Sequence, residues 1–492
     1  MLLGLPYPLV FRYNSRTPMD DPLPIGTIAD PQFMTGQVLL IPPEVRRKHL
    51  ALFGMTGAGK STLLRNMIAW DIRSGAGVTV VDPHGALIED LLEHHIPKSR
   101  TNDVIYFSPK RSNWALGLNI LEAVRPEQRA LVVSQVVSIF KRLWGDSWGP
   151  RLENILRNAL FALIEQPAAM SLAALPRLLT DAAYRKQLLA NVTNSVVRSF
   201  FKGEYDQWKD SFREEAISSV LNKIRALLTD PMLLAILGQS RSTFDFRWMM
   251  DNRKILLCDL SKGAIGDDNA NLLGSLIVIK ERLAALSRED APEQSRVQHF
   301  LYVEEAQNFV GDFGSILAEA RKYRLGLILV TQGIEQLSKP DALAVFANVA
   351  TIGTFRVSGE DAARLETQFT GRVPAKTYQE LPDFKLYVRT MIPNAKGVGY
   401  PSGPHAVDAF PPFKRIAGMA LKNTVIRTSL ARYSRPRAEV AEKLAKFLTT
   451  KPKKDEPSNK EPRPNPTITR LKRIEAKIDT VFPTGSADLM TE

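Results

Sequence analysis

The chain has 492 residues, of which 44% are hydrophobic and 24% charged, and its formal net charge at pH 7 is +13. This length exceeds what one ordinary hydrophobic core supports, so two or three globular domains are expected. The one cysteine, Cys258, excludes an internal disulfide and indicates a reducing compartment. No apolar run approaches the roughly 18 residues of a membrane span, and the N-terminus lacks a signal-peptide pattern. We therefore expect a cytoplasmic location.

The excess of positive charge predicts a polyanionic partner. Nucleic acid is the first candidate and an anionic membrane surface the second, because both attract a strongly basic protein. A basic surface that binds no partner is the remaining alternative. Lysine and arginine outnumber acids between Lys414 and Lys477, so part of the excess belongs to the C-terminal region.

The order of predicted elements favours an α/β fold. Short apolar or β-branched runs alternate with stretches of helical periodicity, which is typical of a parallel-dominated central sheet covered by helices. The runs predict strands at 37–41, 50–53, 77–82, 104–107, 254–257, 299–303, 325–330 and 351–357. From about 121 to 250 glycine is sparse and apolar residues follow i, i+3, i+4 spacing, which predicts an all-α domain inserted between two halves of the sheet.

A nine-residue glycine-rich loop gives the strongest local signal, because it fits G-x-x-x-x-G-K-[ST] between an apolar run and a helical pattern. Its glycines let backbone N–H groups face a triphosphate. Lys60 is predicted to bridge the β- and γ-phosphates and the Ser61 hydroxyl to bind Mg²⁺. The sequence thus predicts that ATP and Mg²⁺ are bound by this P-loop, formed by Gly54, Met55, Thr56, Gly57, Ala58, Gly59, Lys60, Ser61 and Thr62.

Two adjacent acids, Glu304 and Glu305, follow the predicted strand at 299–303. In a parallel sheet, ligands bind at the carboxyl ends of the strands, where the P-loop also lies. Adjacent residues at a strand end diverge, so we assign Glu304 to the Mg²⁺ side and Glu305 to the catalytic base that orients water. A solvated acidic turn is the alternative.

Two further residues complete the predicted catalytic set. Gln332 ends the strand run that continues to Thr331, where its amide could sense the γ-phosphate, although a merely structural role is the alternative. Arg321 precedes the same strand and is the candidate to enter a neighbouring subunit's site and neutralise transition-state charge. Arg324 and Arg356 compete for this role, and a surface charge is the alternative for Arg321.

These residues resemble the conjugative coupling-protein ATPases of type IV secretion, within the HerA–FtsK superfamily of ring-forming DNA pumps. The resemblance covers about 48–440 and is carried by the P-loop with the preceding His49-Leu50, and by 82–85 (DPHG), 148–153 (WGPRLE), 259–263 (DLSKG), 304–309 (EEAQNF), 320–323 (ARKY) and Gln332. It implies a RecA-like P-loop NTPase domain with an inserted all-α domain, assembled as a homo-hexamer around DNA. It also implies the roles given above for Lys60, Ser61, Glu305 and Gln332, with Arg321 acting in trans.

The resemblance implies an ATPase that pumps DNA, or a DNA–relaxase complex, in conjugative type IV secretion. Either single or double strands could be the track. Relaxase or secretion components are the other expected partners, and any association with the inner membrane would be peripheral and through a partner. A HerA-like motor working with a nuclease, an ATPase that moves protein, and a nucleotide-switched DNA-binding scaffold remain alternatives. The scaffold stays open because the family's acid pair usually begins with Asp, where this chain has Glu304.

The predicted organisation has six segments. They are a small N-terminal β-rich segment at 1–45, the first half of the P-loop NTPase domain at 46–120, the inserted all-α domain at 121–250, the second half of the P-loop NTPase domain at 251–410, a basic helical segment at 411–450, and a basic disordered tail at 451–492.

Overall fold

A computed structural model describes residues 22–449, apart from 31–34, 112, 123–124, 310–312 and 394–398, and apart from the side chains of 392, 393 and 399. The predicted tail at 451–492 and the first half of the predicted N-terminal segment lie outside the described residues. The positions of the five boundaries between the six predicted segments stay predictions.

Thirteen strands occur in the described residues. They are β1 (Leu23–Ile28), β2 (Val38–Ile41), β3 (Leu50–Phe53), β4 (Gly77–Asp82), β5 (Val104–Phe107), β6 (Trp114–Ala115), β7 (Ile255–Asp259), β8 (His299–Val303), β9 (Leu325–Thr331), β10 (Thr351–Thr354), β11 (Lys385–Pro393), β12 (Gly399–Ala409) and β13 (Arg435–Pro436).

Eleven of these strands form one sheet in the order β2-β1-β12-β11-β10-β3-β9-β8-β4-β7-β5. The seven from β10 to β5 run parallel, and the remaining four extend the sheet by antiparallel pairing. The parallel strands consist of continuous apolar runs because helices cover both of their faces, and all seven residues of β9 are buried. The predicted α/β fold with a parallel-dominated sheet is confirmed.

Nineteen α-helices accompany these strands within the ranges that the structure describes. Eight of them lie between β6 and β7: α4 (Arg129–Leu143), α5 (Pro150–Ile164), α6 (Leu175–Thr180), α7 (Ala182–Leu189), α8 (Ser195–Ser199), α9 (Asp210–Thr229), α10 (Pro231–Leu237) and α11 (Phe246–Asp251). The others are α1 (Pro43–Arg46), α2 (Lys60–Arg73), α3 (Ala86–His94), α12 (Lys262–Ile265), α13 (Asp267–Ser287), α14 (Phe313–Glu319), α15 (Lys339–Asn348), α16 (Gly359–Gln368), α17 (Ala375–Gln379), α18 (Met419–Tyr433) and α19 (Arg437–Thr449).

Two hydrophobic cores lie on opposite faces of the sheet. Helices α2, α3 and α18 pack their apolar residues on one face, for example Leu64, Ile88 and Val425. Helix α13 covers the other face, and the core continues from it into α4–α11. Across the portion of the chain that is described, no helix combines the length and the apolarity needed to cross a membrane.

Strand β10 ends three residues earlier than the sequence predicts, at Thr354. The next two residues bond to the P-loop region instead: the Phe355 amide donates to the Phe53 carbonyl at 2.9 Å, and the Arg356 carbonyl accepts from the Met55 amide at 2.7 Å. The end of β10 therefore braces the glycine-rich loop.

Candidate active site

The P-loop connects buried strand β3 to helix α2, which begins at Lys60. Its three glycines have φ angles of 158° at Gly54, 83° at Gly57 and 115° at Gly59. Residues that carry a side chain rarely adopt such positive φ angles. At Gly54 a Cβ atom would also come within 2.6 Å of the Phe355 Cβ. The turn therefore depends on glycine, and its outer residues 55–57 are exposed to solvent.

Lys60 is buried in the loop that it follows. Its Nζ donates to the carbonyl of Met55 at 2.9 Å and to that of Gly54. Burial lowers the pKa of Lys60, and the opposing attraction comes from Glu305 and Glu304. The space around Gly57 is open. A cation held against an open glycine-rich loop is a suitable donor set for a phosphate chain.

Ser61 and Glu304 meet at the mouth of this loop. The Ser61 Oγ donates to Glu304 Oε1 at 3.0 Å. Burial, followed by the charge of Asp82, raises the pKa of Glu304 to about 8. Ser61, Glu304 and Asp82 form a cluster of oxygens in which burial disfavours negative charge, and a cation would offset this cost. A hard divalent cation such as Mg²⁺ fits such a cluster, because Mg²⁺ usually binds one or two protein oxygens together with phosphate oxygens and water. No group of three or more His, Cys, Asp or Glu residues that could hold a metal occurs in the described chain.

Glu305 has different hydrogen-bond partners from Glu304. Its backbone is left-handed, with φ of 50°, which is uncommon for a residue other than glycine. The Gln332 Nε2 donates to Glu305 Oε1 at 3.2 Å and to Oε2 at 3.3 Å, and Gln307 also donates to this carboxylate. The structure therefore brings Glu305 and Gln332 together.

The loop that contains Gln332 is fixed to helix α16. The buried Asp361 carboxylate accepts the Ile334 amide at 2.9 Å and the Glu335 amide at 3.2 Å. Asp361 lies in the first turn of α16. Two amide-to-carboxylate hydrogen bonds therefore link the loop that contains Gln332 to the start of this helix.

Two buried aspartates extend the row of acids, and neither was given a role from the sequence. Asp82 and Asp259 are register partners at the ends of β4 and β7. Asp82 accepts the amides of His84 at 2.7 Å and Ile88 at 3.2 Å, so it shapes the turn into α3. Asp259 pairs with Lys110 at 2.7 Å. Burial opposes ionisation of Asp259, but hydrogen bonds from Lys110 and Ser261 outweigh burial and lower its pKa. The sequence signal that could have identified these two aspartates is their position at the start of the DPHG and DLSKG motifs.

The candidate arginines lie at different edges of the sheet. Arg321 is in a 3₁₀ turn that precedes β9, whereas Gln332 follows β9. Seven strand residues span about 23 Å, so Arg321 is far from the P-loop of its own chain. Arg324 ends the same turn. Arg356 instead lies beside the P-loop, where its guanidinium pairs with Asp383 at 2.8 Å.

Arg321 lines a pocket of about 340 Å³ at that opposite edge, together with Lys48, Lys322 and Arg389. The neighbouring His49 is buried, and its Nδ1 accepts the Leu327 amide at 3.0 Å. Burial and the nearby charge of Arg321 lower the pKa of His49 to about 4, against a backbone hydrogen bond that raises it. The edge that carries Arg321 is thus basic.

Sequence comparison assigns the family. The family described as "Helicase HerA, central domain" matches residues 24–279. The chain belongs to the HerA family. It is a P-loop ATPase of the HerA–FtsK superfamily, as the sequence predicts. No curated protein sequence matches this HerA-family chain.

Solved structures extend the comparison to the fold. The unbound bacterial conjugative coupling protein TrwBdeltaN70 is 17% identical, with a TM-score of 0.55 over 81% of this chain and 91% of that one. The plasmid coupling protein TrwB with ADP and Mg²⁺ is 18% identical, with a TM-score of 0.55 over 78% and 90%. TrwB with the ATP analogue ADPNP is 17% identical, with a TM-score of 0.54 over 78% and 89%. The predicted RecA-like fold of this HerA-family chain is confirmed.

Proposed function

We propose that this HerA-family ATPase is a ring-forming DNA translocase that acts as a coupling protein in conjugative type IV secretion. The observation that carries the proposal is the division of the catalytic set between two edges of the sheet. The P-loop, both glutamates and Gln332 lie at one edge, whereas Arg321 lies at the other. A complete site then needs a second subunit, which a ring supplies.

ATP and Mg²⁺ are the proposed ligands of the P-loop edge. The loop amides and Lys60 bind the phosphates, while Ser61 and Glu304 hold the metal side of the site. Mg²⁺ neutralises charge on the phosphate oxygens when it is bound. The contact between Ser61 and Glu304 supports this assignment, because it means that a glutamate reaches the serine hydroxyl where the family usually has an aspartate.

Glu305 is the proposed catalytic base. Its carboxylate lies within hydrogen-bond reach of Gln332, so a water molecule positioned by Glu305 is also close to the amide that senses the γ-phosphate. We propose that loss of the γ-phosphate frees Gln332 and shifts the loop that Asp361 ties to α16. Hydrolysis is then coupled to movement of the protein.

Arg321 is the proposed residue that acts in trans. Each interface in a closed ring is heterologous, so the basic edge of one subunit faces the P-loop edge of the next. An arginine that enters the neighbouring site stabilises the charge of the transition state. We propose a homo-hexamer, the state that the family resemblance implies.

DNA is the proposed track. The net charge of +13 supports a polyanionic partner, and pumping needs contacts with the phosphate backbone but none with specific bases. A relaxase or other secretion components would then be the further partners, with peripheral membrane association through one of them.

A DNA-processing motor that works with a nuclease is the second candidate, and the HerA family match favours it. The two candidates differ in their partners rather than in their chemistry. Neighbouring genes for a relaxase and a pilus would support the first candidate, and a neighbouring nuclease gene the second.

Displacement assays test translocation itself. The protein is given biotinylated single strands blocked by streptavidin, and duplexes that carry a third strand, each with ATP and Mg²⁺. We expect ATP-dependent displacement from one substrate, and none with Lys60→Ala. The end from which streptavidin is removed gives the direction. ATP hydrolysis without displacement from either substrate would contradict the proposal and support a nucleotide-switched scaffold.

A further inference from the structure

Phe384 presents an exposed aromatic ring beside the P-loop. Its side chain is 49% exposed, although the ring edge touches the loop: a Cβ placed on Gly59 would lie 3.0 Å from Phe384 Cδ1. An aromatic ring of this size is normally buried when packing is its only task. About half of the surface of this residue is therefore open to a bound ligand.

The backbone of Phe384 is held in an unusual conformation. Its φ angle is 63°, a left-handed value that is an outlier for a bulky residue. Its amide donates to the Ala58 carbonyl at 2.9 Å, and its carbonyl accepts the Ala409 amide at 2.8 Å. Strained residues held by their surroundings cluster at functional sites. Both backbone bonds would be available to other residues, so they do not explain why an exposed phenyl ring stands at this position.

The direction of a bound triphosphate follows from the residues that receive its γ end. Glu305 and Gln332 follow the carboxyl ends of β8 and β9, which lie on one side of β3 in the sheet. Phe384 immediately precedes β11, on the other side of β3 and beyond β10. A nucleotide whose γ-phosphate faces Glu305 must extend its nucleoside away from β9. The exposed ring lies in that direction.

We propose that Phe384 is the stacking residue for the nucleobase of the bound nucleoside triphosphate. This inference rests on the proposed nucleotide site. The π-face of the ring would cover one face of the base, while the nearby ion pair between Arg356 and Asp383 stays at the surface. Stacking recognises the face of a base rather than its hydrogen-bonding edge, so purines of either kind are accepted.

Binding of ATP, of GTP and of inorganic tripolyphosphate, each with Mg²⁺, separates contacts to the base from contacts to the phosphates. Calorimetric titration is carried out on the wild type, Phe384→Ala and Phe384→Trp. Tyr400→Ala is the matched control, because Tyr400 is a similarly exposed aromatic residue (51%) on the paired strand. Tyr400 pairs with Ile392, which lies about seven residues, or about 24 Å, along β11 from Lys385. Since Lys385 directly follows Phe384, Tyr400 is far from the proposed base site.

We expect Phe384→Ala to weaken ATP and GTP binding about tenfold and to leave tripolyphosphate binding unchanged. Phe384→Trp should retain the affinity for ATP. ATP should quench the tryptophan fluorescence of this variant more than it quenches that of the wild type, and tripolyphosphate should not. Tyr400→Ala should bind both ligands normally.

Unchanged ATP affinity in Phe384→Ala would overturn the inference. An equal loss of ATP and tripolyphosphate would also overturn it, because the ring would then only support the loop. If the wild type bound neither ligand, the nucleotide site itself would be contradicted. Lys60→Ala, which should lose both ligands, identifies a failure at the phosphates.

Discussion

The amide of Gln332 donates to both carboxylate oxygens of Glu305, at 3.2 and 3.3 Å. These residues follow two neighbouring parallel strands, β8 and β9, and the pairing of the strands brings them close together. A carboxylate accepts several hydrogen bonds, so Glu305 can hold the Gln332 amide and a water molecule at the same time.

Replacement of Glu305 by Gln should separate binding from turnover. Glu305→Gln keeps the shape and the hydrogen bond to Gln332 but cannot accept a proton, so we expect a loss of about 10²–10⁴-fold in the ATPase rate. ATP affinity should be unchanged, and the ring should accumulate with ATP bound. The control Glu380→Gln changes an exposed acid and should hydrolyse ATP normally. A rate near that of the wild type would remove Glu305 from the role of base.

Removal of the Gln332 amide should slow hydrolysis without weakening binding. We expect Gln332→Ala to lower the ATPase rate by about tenfold or more, because the γ-phosphate is no longer reported to the loop that Asp361 holds. Gln336→Ala is the control, since this exposed amide lies in the same loop and contacts Thr331 rather than Glu305. A loss of ATP affinity equal to the loss of rate would indicate a structural role for Gln332.

Mixed rings test whether Arg321 acts in trans. Arg321→Ala alone should bind ATP and lose about 10³-fold in turnover, and Lys60→Ala alone should not bind ATP. When the two are mixed, some interfaces combine an intact P-loop with an intact arginine, so activity should return. A mixture of Lys60→Ala with Glu305→Gln should stay inactive, because both changes affect the same edge. Normal turnover of Arg321→Ala would transfer the role to Arg324 or Arg356.

Glu281 should make folding stability depend on pH. Burial raises its pKa from 4.5 to about 8, and hydrogen bonding to Thr79 opposes the shift. The native state therefore keeps a proton that the unfolded chain releases above its lower pKa, and the stabilisation falls as pH rises to about 8. We expect Glu281→Gln to lose this dependence, so its stability relative to the wild type should rise between about pH 5 and about pH 8 in urea unfolding. A constant difference across this range would show that Glu281 does not titrate in this way.

The parallel core of the fold could be predicted because its strands are continuous apolar runs. Strand β9 and its neighbours are buried on both faces, and this leaves an unbroken signal in the sequence. The hairpin of β11 and β12 was missed. Pro393, Pro401 and Pro404 interrupt its pattern, and its register shifts between Val388 and Thr390. Edge and antiparallel strands tolerate such breaks.

The location of a site residue could be predicted where it follows from a local motif, as for Lys60 and Ser61 at the start of α2. The proximity of Asp82 and Asp259 could not be predicted, because the two residues are far apart in sequence and only the strand order brings them together. The distance between Arg321 and the P-loop of its own chain could not be predicted from local sequence either. Sequence places Arg321 before a strand, whereas the parallel direction of that strand determines which edge of the sheet it reaches.

The ATPase rate with no DNA, with single-stranded DNA and with duplex DNA tests the central claim most directly. It is measured at increasing salt, with Glu305→Gln as the inactive control. We predict strong stimulation by at least one form of DNA, which declines with salt as phosphate contacts are lost. A low rate that is the same in all three conditions, with ATP still bound, would contradict a DNA motor.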